Sequence, residues 1–277
     1  MQDNLQIHDK ENSMKKSLLL FTSIILFAFV ACSGKSKKAG TANSENNDLM
    51  IQSEYIKPDV YSTNNGELKV TLVGHASLIF EYAGEIIHVD PYSQIADYSR
   101  LPKADFIILT HEHGDHLDKA AIDAVKTDST HFIVSETCNE ILGYGNVMKN
   151  GDSLAPSCFT IDAVPAYNMV NKNPQGVFYH PKGRGNGYIF TFGDKKIYVA
   201  GDTENIPEMD KLKNSIYIAF FPKNLPYTMT DDMFIDAARK IQPEILYPYH
   251  MSEFDQNKIG KVLDGYNIKL QIRSMKN

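Results

Sequence analysis

The sequence has few cysteines and no excess of positive charge. It contains three cysteines in 277 residues, which is too few for a disulfide framework. Its 28 lysines and arginines are outnumbered by 34 aspartates and glutamates, which gives a formal net charge of −6. Because a general nucleic-acid-binding protein needs a basic face for phosphate contacts, this balance argues against that class. No nucleophile motif surrounds Cys138 or Cys158, and we expect both to be buried small hydrophobic residues.

Long apolar runs are also scarce, and the clearest one lies near the N-terminus. It covers Ser17–Ala31 and follows the basic start Met14-Lys-Lys16. The run is shorter than a typical membrane span and has the length of a signal-peptide core. We therefore expect a signal peptide over residues 1–31, with an alternative translation start at Met14.

The end of this run resembles the cleavage site of a bacterial lipoprotein. Small Ala31 precedes Cys32, although Phe29 stands where leucine is usual, three residues before the cysteine. The resemblance implies a lipid on Cys32 and a protein anchored outside the cytoplasmic membrane, in the bacterial cell envelope. A plain secretory signal or a short membrane anchor is the alternative. Residues 32–58, poor in apolar side chains over much of their length, would form a flexible tether.

Residues 59–277 are expected to form the folded domain. Apolar, β-prone segments alternate with helical patterns along it, which is typical of a layered α/β fold. The polar stretch Asp59–Glu67 is expected to be turn-rich, and Asn205–Leu212 is predicted to be helical.

The richest chemistry lies directly after a predicted buried strand, Asp105–Thr110. Four potential metal ligands follow it within six residues: His111, His113, Asp115 and His116. Strand ends are where α/β sheets commonly place their functional groups. Imidazoles with a carboxylate suit zinc, manganese or iron(II) far better than calcium.

This stretch matches the His-x-His-x-Asp-His motif of the metallo-β-lactamase fold hydrolases. Weaker signals over residues 68–250 resemble the branch that contains ascorbate-6-phosphate lactonase-like enzymes and the N-acyl-phosphatidylethanolamine phospholipase D type. The resemblance implies a four-layer αββα sandwich with mixed sheets. It also implies two metal ions, which we expect to be zinc, with manganese or iron(II) as alternatives.

By the same resemblance, two more strand ends supply ligands. Asp202, in Gly201-Asp202-Thr203, corresponds to the carboxylate that bridges two metals, and His250 corresponds to the final histidine. His111 and His113 would hold one ion. Asp115, His116 and His250 would hold the other.

One ligand of the first ion departs from the family pattern. Asn168 stands where a histidine is expected, and amide oxygen is a poor zinc ligand compared with imidazole nitrogen. His180, in His-Pro-Lys-Gly, follows twelve positions later. Either His180 or Asn168 would complete the first site, and His180 could instead bind substrate.

Other polar residues near predicted strand ends are candidates for substrate contact. His75 is expected to face the site and Asp90 to support it from behind. Lys223 and Tyr227 could contact an anionic or polar substrate.

These predictions together indicate a metal-dependent hydrolase. A metal-bound hydroxide would cleave an ester-like bond, a phosphodiester or a lactone, in a small molecule or a lipid. Asp115 is assigned a catalytic role as well as a ligand role. A degenerate metal-binding or ligand-binding lipoprotein without turnover is the alternative.

The anchor prediction can be tested by Cys32→Ala in the producing cell. We expect the wild-type protein to incorporate a labelled fatty acid and to sediment with membranes, because lipid chains provide stable anchoring. The variant should lose the label and leave the membrane fraction, whereas Cys158→Ala should behave as the wild type. Membrane retention of the unlabelled Cys32→Ala protein would contradict a lipid anchor.

Overall fold

The protein is described by a computed structural model that covers residues 57–273. The predicted signal peptide, Cys32 and nearly all of the tether lie outside the described residues. Within residues 57–273, no helix combines the length and the apolar character needed to cross a membrane.

Residues 59–147 form a seven-stranded sheet whose strands lie side by side in sequence order. The strands are β1 (Asp59–Thr63), β2 (Gly66–Gly74), β3 (Ser77–Tyr82), β4 (Glu85–Val89), β5 (Phe106–Leu109), β6 (His131–Val134) and β7 (Asn146–Val147). Strands β1 to β4 pair antiparallel, and β4 to β7 pair parallel. Helix α1 (Lys119–Val125) follows β5, and α2 (Glu136–Leu142) follows β6.

Residues 153–270 form a second seven-stranded sheet, again in sequence order. Its strands are β8 (Ser153–Leu154), β9 (Thr160–Ala166), β10 (Gly185–Phe192), β11 (Lys195–Val199), β12 (Ile218–Lys223), β13 (Ile245–Met251) and β14 (Lys269–Leu270). The first four pair antiparallel, and β11 to β14 pair parallel. Helices α3 (Asp231–Ile241) and α4 (Gln256–Leu263) follow β12 and β13.

Three hydrophobic clusters hold these elements in four layers. The largest lies between the two sheets, where the ring of Phe80 from the first sheet meets that of Phe190 from the second at 5.2 Å. A second cluster packs α1 and α2 on the outer face of the first sheet. The third packs α3 and α4 on the outer face of the second sheet, with Phe221 against Phe234. The predicted αββα sandwich with mixed sheets is confirmed.

Two local predictions of backbone structure are wrong. The stretch expected to be turn-rich begins with strand β1, because Asp59–Thr63 pairs with β2 and the Tyr61 ring packs on Tyr217. The helix predicted at Asn205–Leu212 is a short 3₁₀ helix over Pro207–Leu212. Its N-cap is Ile206, whose apolar side chain cannot accept a hydrogen bond from the first turn, and Pro207 is the first helical residue.

The predicted burial of the cysteines holds for one of the two. Cys138 is fully buried in α2, and burial raises its pKa to about 12. Cys158 is exposed, which corrects the prediction. It lies in the loop before β9, with its sulfur 3.1 Å from a carboxylate oxygen of Glu85.

His88 in β4 is a buried histidine whose titration affects stability. Its Nε2 donates to the carbonyl of Pro102 at 3.0 Å, and its Nδ1 has no partner in the described chain. Burial lowers the pKa of His88 to about 4. The unfolded chain takes up this proton near pH 6.5, so the unfolded state binds more protons than the folded state between pH 6.5 and 4.

We therefore expect the free energy of unfolding to decrease as the pH is lowered from 6.5 to 4. His88 alone should account for about 2–3 kcal/mol of this decrease. Urea unfolding at several pH values would show this dependence, and His88→Gln should remove that part of it. The matched control is His131→Gln, an exposed histidine two strands away. Parallel pH profiles for wild type and His88→Gln would contradict the assignment.

Candidate metal centre

Seven predicted ligands meet at one edge of the two sheets. The cluster from His111 to His116 follows β5, Asp202 follows β11, and His250 lies near the end of β13. His180 precedes β10 in a loop. Chain segments up to about 140 residues apart therefore converge because their strands end at the same edge.

The first group consists of His111, His113 and His180. One ring nitrogen of each lies within 4.8 Å of the other two. The Nε2 of His111 and the Nδ1 of His113 are 3.1 Å apart. Three imidazole nitrogens this close together can share one cation.

The second group contains Asp115, His116 and His250, and His75 lies with them. Asp115 Oδ2 lies 3.4 Å from His250 Nε2 and 3.9 Å from His116 Nε2. It also lies 2.9 Å from Nε2 of His75. His75 was predicted to contact substrate, and its position beside Asp115, His116 and His250 makes it a ligand candidate as well.

Asp202 lies between the two groups. Its Oδ2 is 3.2 Å from His180 Nε2 and 3.5 Å from His250 Nε2. Its Oδ1 is 3.5 Å from His116 Nε2. A carboxylate in this position has one oxygen for each of two cations.

The backbone before Asp202 requires glycine. Gly201 has φ of +65°, and a Cβ there would lie 2.7 Å from the carbonyl oxygen of Asn186. The Gly201 amide also donates to the Tyr249 hydroxyl at 2.9 Å. This turn aims Asp202 back across the strand ends.

The structure separates the roles of Asn168 and His180. The Oδ1 of Asn168 accepts hydrogen bonds from the backbone N–H and Nδ1 of His180, at 2.7 and 2.8 Å. The amide oxygen is therefore engaged, while Nε2 of His180 reaches the cluster. This geometry places Asn168 behind His180 and favours His180 over Asn168 as the ligand candidate.

Asp90 supports the centre from outside, as predicted. Its carboxylate is fully buried and accepts from His116 Nδ1 at 2.8 Å. It also accepts from the backbone and hydroxyl of Thr110, at 2.8 and 2.6 Å. Fixing Nδ1 of His116 as the donor leaves its Nε2 free to coordinate.

Three residues of the site adopt the left-handed backbone conformation that non-glycine residues rarely use. They are His75 (φ 49°), Asp90 (φ 45°) and His250 (φ 45°). The amide of His250 donates to the carbonyl of His75 at 2.7 Å, which ties two of these positions together. Such strain concentrates where side chains must be aimed at a site.

The electrostatics of the cluster favour ionised carboxylates. Burial opposes the charge of Asp202, but the imidazoles of His250, His116 and His180 hold its pKa well below the usual range. Burial likewise opposes the charge of Asp115, yet the neighbouring imidazoles of His250 and His75 lower its pKa.

The pKa of the His116 imidazole is raised, whereas the pKa values of the two carboxylates are lowered. Burial alone would lower its pKa, but the carboxylates of Asp202, Asp90 and Asp115 raise it to about 9. A bound cation would replace the proton on Nε2, because coordination needs the nitrogen lone pair.

A narrow cleft opens onto the first group. His113, Tyr179, Arg184 and Asp202 are among its lining residues. Tyr227 is 44% exposed and packs edge-on against Tyr179 at 4.9 Å, so it lies at the rim of this cleft.

Lys223 does not share this position. It is buried, its ammonium pairs with Asp231 at 3.0 Å, and it also donates to the carbonyl of Glu253. These contacts tie the end of β12 to the start of α3. The placement gives Lys223 a structural partner and does not support the predicted substrate contact.

Several residues of the site were missed by reasoning from sequence. Glu112 accepts from Arg184 at 2.8 Å and from Thr137 at 2.8 Å beside the cleft. Asn224 lies 3.1 Å from Nδ1 of His250, and Glu204 is fully buried. The only signal for Glu204 was its place after Gly-Asp-Thr, which on its own indicates a turn.

Comparison with known proteins identifies the class. Residues 69–250 match the family described as the beta-lactamase superfamily domain. A UPF0173 metal-dependent hydrolase of Flavobacterium johnsoniae is 30% identical over 210 residues, which cover 70% of this chain and 88% of that protein. The fold, the histidine-rich motif and these matches define a metallo-β-lactamase fold metal-dependent hydrolase.

Solved structures agree with this class. A protein of Parabacteroides distasonis, described as a metal-dependent hydrolase, is 46% identical with a TM-score of 0.76, over 80% of this chain and all of that one. Igni18, a metallo hydrolase of Ignicoccus hospitalis, has the same fold at 22% identity and a TM-score of 0.62, over 76% of this chain and 96% of that one. The chain belongs to the UPF0173 family of metal-dependent hydrolases.

Proposed function

We propose that this hydrolase cleaves an ester-like bond, a phosphodiester or a lactone, in a small molecule or lipid, at a centre of two divalent ions. The proposal rests on four buried ligand-type atoms without a hydrogen-bond partner in the described chain: His116 Nε2, His180 Nε2, Asp202 Oδ1 and His250 Nε2. An unsatisfied buried polar atom costs about 1–3 kcal/mol, so such atoms are rare in native structures. Their convergence fits bound cations.

The donor set fits zinc, with manganese or iron(II) as alternatives. In this proposal His111, His113 and His180 would hold one ion, and Asp115, His116 and His250 would hold the other. Asp202 lies within reach of both groups and would serve both ions. A bound divalent ion supplies Lewis acidity and lowers the pKa of a water ligand.

The residues around the ions position the reaction. Asp115 is the proposed catalytic carboxylate, because 35% of its side chain is exposed whereas Asp202 is 4% exposed. His75 holds the Asp115 oxygen at 2.9 Å and fixes its orientation. Neither Cys138 nor Cys158 lines the cleft, so residues 57–273 offer no thiol there for covalent catalysis.

An apolar rim beside the cleft supports a substrate with an apolar part. Two loops, residues 168–180 and 224–228, are joined where Asn168 and Asn171 donate to the carbonyls of Tyr227 and Thr228. Together they expose five large apolar side chains: Met169, Val170, Val177, Leu225 and Tyr227. Exposed apolar groups on loops beside a cleft are typical of ligand or membrane contact.

The hydrolase proposal is tested by metal content and turnover of the purified mature protein. We expect about two divalent ions per chain and hydrolysis of a generic phosphodiester or lactone. Asp202→Asn should lower kcat by more than about 100-fold, because it removes the bridging charge. The surface variant Asp194→Asn is the matched control. A protein that holds two ions but turns over neither substrate would favour the non-catalytic alternative.

The rim is tested by varying the chain length of the substrate. Removing the Tyr227 ring with Tyr227→Ser should raise KM for a long-chain substrate about tenfold, as expected for the loss of partial burial of one ring. A short-chain substrate should be affected much less. Tyr144→Ser is the matched control, because Tyr144 is also 44% exposed but lies outside both loops. Equal effects on both substrates would argue against an apolar subsite.

A further inference from the structure

Glu204 is a buried carboxylate that the proposed reaction leaves unexplained. Its residue is 0% exposed, and among residues 57–273 no lysine, arginine or histidine forms an ion pair with it. A buried charge without a counterion is retained only where hydrogen bonds satisfy it. Its contacts therefore indicate its role.

All of its donors come from the loop that follows β9. Oε2 accepts from the backbone amides of Met169 and Val170, at 2.7 and 2.8 Å. Oε1 accepts from the amide of Asn171 at 2.7 Å and from Nδ2 of Asn168 at 3.1 Å. Three successive amides and one side chain thus enclose the carboxylate as an anion-binding nest.

The Asn168 side chain connects Glu204 to His180 by hydrogen bonds. Its Nδ2 faces two acceptors, Glu204 and the carbonyl of Tyr227, so its Oδ1 must face the other way. That oxygen accepts from both the backbone N–H and Nδ1 of His180. Because an amide oxygen only accepts, the His180 proton lies on Nδ1 and the lone pair lies on Nε2.

The Nε2 side of the His180 ring faces the cluster of ligand candidates. Nε2 is buried, makes no hydrogen bond in the described chain, and lies 3.2 Å from Asp202 Oδ2. Asp202 and Glu204 belong to the same turn after β11. One turn thus supplies a ligand candidate directly and supports another through Asn168.

We propose that Glu204 is a positioning residue, which holds His180 through Asn168 in the tautomer and orientation that metal binding needs. The inference rests on the proposed metal centre. Its physical basis is that the hydrogen bond on one imidazole nitrogen fixes which nitrogen is available to a metal. A merely structural Glu204 would close the loop without affecting metal affinity.

The test is titration of the metal-free mature chain with Zn²⁺ alone, below the unfolding temperature of each variant. We expect Glu204→Gln to weaken one of two binding events about 10- to 100-fold and leave the other unchanged. The amide of glutamine would place a donor against the loop amides and so disturb Asn168. In nitrogen-15 spectra of the histidines, the variant should lose the fixed Nδ1–H tautomer of His180.

Glu208→Gln is the matched control. It makes the same substitution four residues later, where the carboxylate accepts from Tyr167 and Lys182 and does not contact Asn168. Its Zn²⁺ titration should equal that of the wild type.

A double-mutant cycle tests the route through Asn168. Asn168→Ala should weaken the same binding event, and adding Glu204→Gln should produce little further loss, because the two act in series. If Glu204→Gln does not fold, Asn168→Ala, which keeps the three amides around Glu204, tests the same link alone.

The outcomes separate the two proposals. A wild-type chain that binds no Zn²⁺ contradicts the metal centre itself. A wild type that binds two ions, with wild-type affinities in Glu204→Gln or in Asn168→Ala, overturns the positioning role. Additive losses in the double variant also overturn it, since independent effects would exclude a series relay.

Discussion

The central constraint on this structure is that the carboxylate of Asp202 must lie between two groups of imidazoles. Each group combines residues of the loop after β5 with a histidine from elsewhere in the chain, and the Asp202 carboxylate lies within 3.5 Å of nitrogens from both. Placing it there requires the left-handed turn at Gly201 and the hydroxyl of Tyr249 beneath it. The paired sheets are the frame that brings these strand ends to one edge.

The packing of the two sheets must also offset the unfavourable free energy of the strained backbone and buried polar atoms at the site. Left-handed backbone at His75, Asp90 and His250 costs about 1–3 kcal/mol each, and the buried polar atoms add to it. The hydrophobic clusters between and outside the sheets supply the compensating burial. The strained residues lie at the edge where the strands end, and at His250 the register of β13 against β12 shifts by one residue.

Features coded locally were predictable from sequence, and features that depend on distant contacts were not. The strand before His111 and the motif after it lie within a dozen residues, so pattern and spacing revealed both. Lys223 was predicted to contact substrate because the sequence did not reveal its ion pair with Asp231, at the start of the next helix. Cys158 looked buried because composition alone cannot tell that its loop lies on the surface.

The choice between Asn168 and His180 as a ligand is the clearest case in which sequence alone could not decide. Sequence spacing offered two candidates for one ligand, and nothing local decided between an amide and an imidazole twelve residues apart. The folded chain uses both, one behind the other, because the loop between them turns back on itself. A turn of this kind needs an acceptor for its exposed amides, and the carboxylate of Glu204 provides one. An asparagine at an expected histidine position therefore does not imply a lost site, provided that the chain can present another imidazole to the same point and hold it there.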